Sequence, residues 1–179
     1  AENTKRLWME WADKEGIDKE DIEENATFQK DGTVHWDGDC NWRGVTSLPP
    51  QLVEVTGYLD LNNLTTLEAG AIAGDVGGYL YLRNLTTLEA GAIVGDVGSG
   101  LYLDNLTTLE VGAIAGDVGG SLFLYDLTTL EAGAIAGDVG LNLYLSNLTT
   151  LEVGAITGNV VGNVYLSANN FSSEKQEEV

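Results

Sequence analysis

The side chains of this sequence best placed to do chemistry are carboxylates, because they recur at a fixed interval. Glu68, Glu89, Glu110, Glu131 and Glu152 stand 21 residues apart. Asp75, Asp96, Asp117 and Asp138 do the same, with Asn159 ending the series. Like charges about 4 Å apart repel by about 1 kcal/mol in water. A column of five must therefore splay outward, accept amide hydrogen bonds at the neighbouring glycine turns, share protons or hold cations. Calcium takes several oxygen ligands at once and is the ion the Glu column would hold, although the Gly-Gly-x-Gly-x-Asp pattern of calcium solenoids is absent. Paired acids can also hydrolyse glycosides. Here the acids recur because a unit is duplicated, and no unit departs from the others as an active site would. His35 is the only histidine and Cys40 the only cysteine, and no nucleophile–base–orienter set, phosphate-cradling loop or zinc spacing accompanies them. A protein without enzymatic activity is expected, with calcium as its one candidate cofactor.

The aromatic residues recur as well. One column reads Asp60, Tyr81, Tyr102, Phe123, Tyr144, Tyr165. Two residues earlier in each unit stand Tyr58 and Tyr79, then Gly100, Ser121, Asn142 and Asn163; two residues later stand Asn62, Arg83, Asp104, Tyr125, Ser146 and Ser167. All seven tyrosines lie in these three columns. If the units stack as strands about 4.8 Å apart, the rings form a stripe on one sheet face. Such a stripe has two compatible roles. It is a cross-strand ladder, each pair adding about 0.2–1 kcal/mol, and it is an amphipathic contact face for a protein or glycan. The candidate partner-binding residues are Tyr58, Tyr79, Tyr81, Arg83, Tyr102, Phe123, Tyr125, Tyr144 and Tyr165.

Charge narrows the partners. The chain carries a formal net charge of −20, and Arg83 is the single base between residues 57 and 161. Such a surface repels phosphate backbones and anionic membranes, so nucleic-acid binding is not expected. No apolar run approaches a membrane span, so membrane insertion is not expected either.

These residues need elements that hold them in file. The tetrad Leu64-Thr65-Thr66-Leu67 returns at Leu85, Leu106, Leu127 and Leu148, followed each time by Glu and a Gly-Ala-Ile-x-Gly stretch. A period this short cannot bury its own apolar face and must stack on its neighbours, which makes the fold a repeat solenoid of parallel β coils. Alternation turns Leu59/Leu61, Leu80/Leu82, Leu101/Leu103, Leu122/Leu124 and Leu143/Leu145 inward. The Leu-Thr-Thr-Leu leucines and Ile72, Ile93, Ile114, Ile135 and Ile156 complete the core. Glycines such as Gly70, Gly74 and Gly77 serve for positive φ or for close passage between coils. No helical pattern fits between strands, so the back wall should consist of short turns, 3₁₀ or extended.

The Thr pairs admit an ice-binding array, but adjacent strand residues point to opposite faces, leaving at most one outward Thr column unless the pair lies in a turn. Asn63, Asn84, Asn105 and Asn147 begin Asn-Leu-Thr acceptor sequences. In a stacked fold the same Asn is expected as a buried ladder instead.

Residues 1–43 are non-repetitive and hold all four tryptophans, the composition of a terminal unit that covers an end of the solenoid core. A helix is expected over 3–16, capped by Asn3 or Thr4 and stopped at Gly16. A second is expected from Asp18 to Asn25, then a hairpin over Phe28–Trp36 about the two-residue turn Asp31-Gly32. The solenoid spans 44–167, with a degenerate first unit at 44–56, five full units over 57–161 and a partial sixth at 162–167. A polar tail is expected at 168–179. An uncovered last coil would invite end-to-end self-association.

Leu-x-Leu, an Asn two residues on and Leu-x-x-Leu resemble a leucine-rich repeat. Leu-Thr-Thr-Leu-Glu-Ala-Gly-Ala-Ile-Ala-Gly-Asp resembles the BspA-type variant, with Ile72 where Phe is usual and Asp75 where Cys or Asn is usual. The stretch Asp31-Gly32-Thr33-Val34-His35-Trp36-Asp37-Gly38-Asp39, with Thr46-Ser47-Leu48-Pro49, resembles phage and bacterial leucine-rich proteins with a Thr-Ser-Leu-Pro repeat. The resemblance covers roughly residues 31–167. It implies a leucine-rich-repeat-like solenoid and is nearly silent about function: members of this group are mostly surface adhesins or proteins of unknown role, so a place at the cell surface or outside the cell is expected. The single cysteine also fits a cytoplasmic protein.

Overall fold

The computed structural model describes residues 1–167; the tail expected at 168–179 lies outside the described residues. The chain winds into stacked parallel β coils around one continuous core. Seven strands make the main sheet, in the spatial order of the sequence: Cys40–Asn41, Leu59–Asp60, Leu80–Tyr81, Leu101–Tyr102, Leu122–Phe123, Leu143–Leu145 and Val164–Leu166. Pairing is in register, so Leu80 meets Leu101 and Tyr81 meets Tyr102. Leu80, Leu82, Leu101 and Leu103 are fully buried, which establishes the alternation read from the sequence. A shift of one residue would have exchanged the leucines for the rings.

Three further walls close each coil, and all of them are extended. Thr66–Leu67 pairs with Thr87–Leu88, and Thr129–Leu130 with Thr150–Leu151. Single parallel bridges link Ile72 to Ile93 and Ile93 to Ile114, and others link Val76 to Val97 and Val97 to Val118. No 3₁₀ turn occurs among the described residues. The Gly-Ala-Ile-x-Gly-Asp-Val stretch stays extended because its backbone groups bond to neighbouring coils: Ile72 N–H donates to Ala92 and Val76 N–H to Asp96. Of the glycines singled out, Gly70 turns the corner at φ 75°. Gly74 instead passes so near Val53 that a Cβ would lie 1.4 Å from its carbonyl oxygen.

Helix α1 (Glu2–Glu15) ends at Gly16 in the left-handed region, and α2 (Lys19–Asn25) is capped by the Asp18 carboxylate on Glu20 N–H. The N-cap of α1 is Ala1, with no side-chain cap. The helix starts earlier than expected, and Thr4 lies inside its buried stripe. The hairpin pairs Ala26–Phe28 with Val34–Trp36. Its loop runs from Gln29 to Thr33, longer than the expected two-residue turn, and is braced by the exposed Asp31 carboxylate, which accepts from both Thr33 N–H and its hydroxyl. Val34–Trp36 then pairs in parallel with Leu52–Val55, whose last residue bridges to Val76 and so joins the cap to the Val wall.

Trp8 forms the centre of the cap. Its ring lies 5.7–6.2 Å from those of Trp11, Phe28, Trp36 and Trp42, and its indole N–H donates to Pro50 carbonyl at 2.7 Å. Trp42 takes the inward place that Leu61 and Leu82 hold in later coils. The main sheet therefore begins at Cys40, inside the segment read as cap.

Candidate functional site

On the outer face of the main sheet the rings form a continuous stack. Tyr102, Phe123, Tyr144 and Tyr165 follow one another with centroids 4.3–4.9 Å apart and planes within 9° of parallel. Tyr81 joins Tyr102 at 5.0 Å, Tyr79 stacks beside Tyr81 at 5.8 Å, and Tyr58 meets Tyr81 edge-on. Tyr125 leans on Phe123 and Tyr144 at 5.8 and 5.5 Å. The register that turns the leucines inward thus brings all nine candidate residues onto one face. Within the stack, faces pack on faces, so the surface offered outward is ring edges and phenol hydroxyls. The hydroxyls of Tyr144 and Tyr165 accept from the Asn142 and Asn163 amides. Burial, together with neighbouring phenols, pushes the Tyr102 and Tyr125 hydroxyls above the ordinary phenol range.

Arg83 lies over this stack, its guanidinium carbon 4.2 Å from the Tyr102 centroid and 5.0 Å from that of Tyr81, a cation–π arrangement. Its Nε faces the Asp104 carboxylate at 3.6 Å. Burial raises the Asp104 carboxyl above its ordinary range; Arg83 opposes that shift and Asp126 adds to it. One Asp104 oxygen is buried without a hydrogen-bond partner.

Sequence reasoning missed Asn41 and Arg43 at the N-terminal end of this face, and placed Asp60 only as the head of the ring column. The missing signal was the period. Cys40 pairs with Leu59, an interval of 19 residues that is seen again between Asp39 and Tyr58, so the columns drawn at 21 stop one coil short. Extended by that interval, Asn41 precedes Asp60 in the ring column, and Arg43 precedes Asn62 and Arg83. Asp60 is 3% exposed. It accepts from Arg43 Nε at 3.1 Å and from Asn62 N–H at 3.1 Å.

The Glu residues line up in single file and gain amide partners. Glu89, Glu110 and Glu152 accept the N–H of Ala69, Ala90 and Ala132, each one coil back. Glu68 and Glu131 are exposed in the same column. Asp75, Asp96, Asp117 and Asp138 accept the N–H of the equivalent residue one coil on, at 2.7–2.8 Å. Among the described residues, no group of three or more His, Cys, Asp or Glu side chains gathers as a metal site.

One sequence expectation is overturned. Asn63, Asn84, Asn105 and Asn147 are exposed rather than buried, with long contacts such as Asn105 Nδ2 to Asn84 Oδ1 at 3.5 Å. They sit at the corner after the main strand, where the side chain points away from the core. Thr65 and Thr66 are both exposed: Thr65 belongs to that corner and only Thr66 to the following strand, the turn placement that lets both residues of a pair face outward. His35 bonds to Glu54 at 2.7 Å in the cap sheet, whereas Cys40 is buried in the core. No helix among the described residues is long and apolar enough to cross a membrane.

Comparison with protein-family profiles, curated proteins and solved structures returns no match.

Proposed function

We propose that this protein is a non-enzymatic recognition scaffold whose tyrosine-lined sheet face contacts a protein or glycan partner. The observation that carries the reading is the stack from Tyr81 to Tyr165 on an otherwise acidic solenoid. It is a rigid row of aromatic edges and hydroxyls held by backbone register rather than by loops. Tyr presents large contact area at low conformational cost and supplies a hydroxyl at its tip, which suits an interface. Variation supports the same reading: the inward leucines hardly change from coil to coil, while the outward columns do. The leucine-rich-repeat kinship suggested by Leu-x-Leu and Leu-Thr-Thr-Leu belongs to this proposal. It rests on sequence motif within a parallel β-solenoid.

Arrays of glycans and of displayed peptides, probed with the wild type and with Phe123→Ser/Tyr144→Ser, test the proposal. The expected result is a ligand held by the wild type and lost by the variant. The variant gives up a few cross-strand pairs of about 0.2–1 kcal/mol each and should stay folded by circular dichroism. Ligands retained equally by both, or none above background on either array, would overturn it.

A further inference from the structure

Between Lys30 and Lys175 the chain has two Lys or Arg residues, Arg43 and Arg83. Although 40 positions apart in sequence, they line one surface recess of about 320 Å³ with Asn41, Tyr58, Asp60 and Tyr81. The recess opens where the ring stack stops: one coil before Tyr81, the column carries Asp60 instead of a ring. Arg43 meets Asp60, and Arg83 meets Asp104, through Nε. Each guanidinium is thereby held in place and retains its terminal N–H groups for a ligand. The two phenol rings supply an apolar wall beside these donors.

We propose that this recess is a subsite for one uncharged sugar residue. This rests on the recognition reading above and names the ligand class for its N-terminal end. The two arginines oppose a cationic ligand. An anionic one would meet the Asp60 carboxylate and a protein of net charge −20. A neutral pyranose offers what the walls can use. Its hydroxyls accept from guanidinium and the Asn41 amide and donate to carboxylate, while its C–H face packs on a phenol ring. A volume near the lower end of ordinary ligand sites suits a single ring rather than a large ligand.

The chain has three arginines, Arg6, Arg43 and Arg83, so its Arg Nε–Hε signals form a three-peak reporter. Arg6 lies on α1 and serves as internal control. The full chain, ¹⁵N-labelled, is titrated with cellohexaose and maltohexaose, with hexagalacturonate and glucosamine hexamer as charged comparators. Expected is a saturable shift of the Arg43 and Arg83 peaks with at least one neutral probe, Arg6 unmoved, and at least fivefold weaker binding of both charged probes. Arg43→Lys should weaken binding at least fivefold while leaving the amide spectrum and melting temperature close to wild type. Its side chain is 74% exposed, and the Lys ammonium can still face Asp60. Tyr144→Ser, outside the recess, should leave the Arg shifts unchanged. Silent Arg43 and Arg83 signals, preferential binding of a charged probe, or unaltered binding by Arg43→Lys would overturn the subsite. If the backbone amide signals of Tyr144 and Tyr165 move while both arginines stay silent, the subsite falls and the recognition face stands.

Discussion

The carboxylate of Asp96 accepts the backbone N–H of Asp117 at 2.8 Å across the gap between two coils. The bond repeats along the column, so each Asp ties its own coil to the next. Stacked acids usually signal repulsion or a bound cation, but here an amide N–H faces the carboxylate at every step. Asp96→Ala should therefore cost about 1 kcal/mol, whereas Asp96→Asn keeps an oxygen acceptor, sheds one charge and should stay within about 0.5 kcal/mol of wild type. On the same logic, Glu110→Gln/Glu131→Gln should melt near wild type. Calcium should raise neither melting temperature more than sodium chloride of equal ionic strength. A rise specific to calcium at low concentration would restore the cation role for Glu68, Glu89, Glu110, Glu131 and Glu152.

Two glycines separate close packing from backbone conformation. A Cβ on Gly95 would lie 2.1 Å from Gly74 carbonyl oxygen and 2.2 Å from its carbon, so it can be accommodated only by parting two coils. Gly91 has open space around it but sits at φ +73°. Gly95→Ala should cost about 3 kcal/mol or more, and Gly91→Ala about 1–2 kcal/mol, the ordinary penalty for a left-handed Ala. Urea melts that placed Gly91→Ala below Gly95→Ala would contradict the stacking distances.

Asp104 should make stability depend on pH in the opposite sense to most carboxylates. Burial raises its folded pKa above the unfolded one despite Arg83. The folded state therefore binds its proton more tightly, and stability falls as pH rises from the unfolded pKa through the folded one. Asp104→Asn cannot ionise. It should be more stable than wild type at pH 7 by a few tenths of a kcal/mol, and the difference should level off only at about pH 2, well below the ordinary Asp range, where the carboxyl is neutral in the folded and the unfolded chain alike. Thermal melts of the two proteins across that interval decide the sign.

Cys40 reports on the cap. Burial first, and the Asp39 carboxylate second, push its thiol far above the ordinary range, and the side chain is fully buried. A disulfide reagent at pH 8 should label it only through opening of the fold, orders of magnitude more slowly than the denatured chain. Trp8→Ala removes the ring that Trp11, Phe28, Trp36 and Trp42 surround. It should cost about 3–5 kcal/mol and accelerate labelling in proportion. Unchanged labelling in that variant would separate the Trp cluster from the first coil of the solenoid.

What the amino-acid sequence settled by itself was everything that follows from repetition. Leu80 and Leu82 had to face inward together, because a strand alternates and a short unit has no other apolar face to bury. Tyr81, Tyr102 and Phe123 then had to share the outer face in register. The two helices were legible too, since Gly16 and Asp18 are local signals that act through their own backbone. The tertiary structure decided what depends on where the chain bends and what passes above it. Whether Asn63 and Thr65 faced in or out turned on the corner after the main strand, where the in–out alternation of a strand stops. Whether the acids met cations or amides turned on the coil-to-coil offset that sets Asp96 against the N–H of Asp117. The first interval, 19 residues rather than 21, hid Arg43 from the columns, and only strand pairing between Cys40 and Leu59 placed it beside Arg83. Repetition fixes direction relative to a core, but the partner of an outward side chain is chosen by the neighbouring coil, which local patterning does not encode.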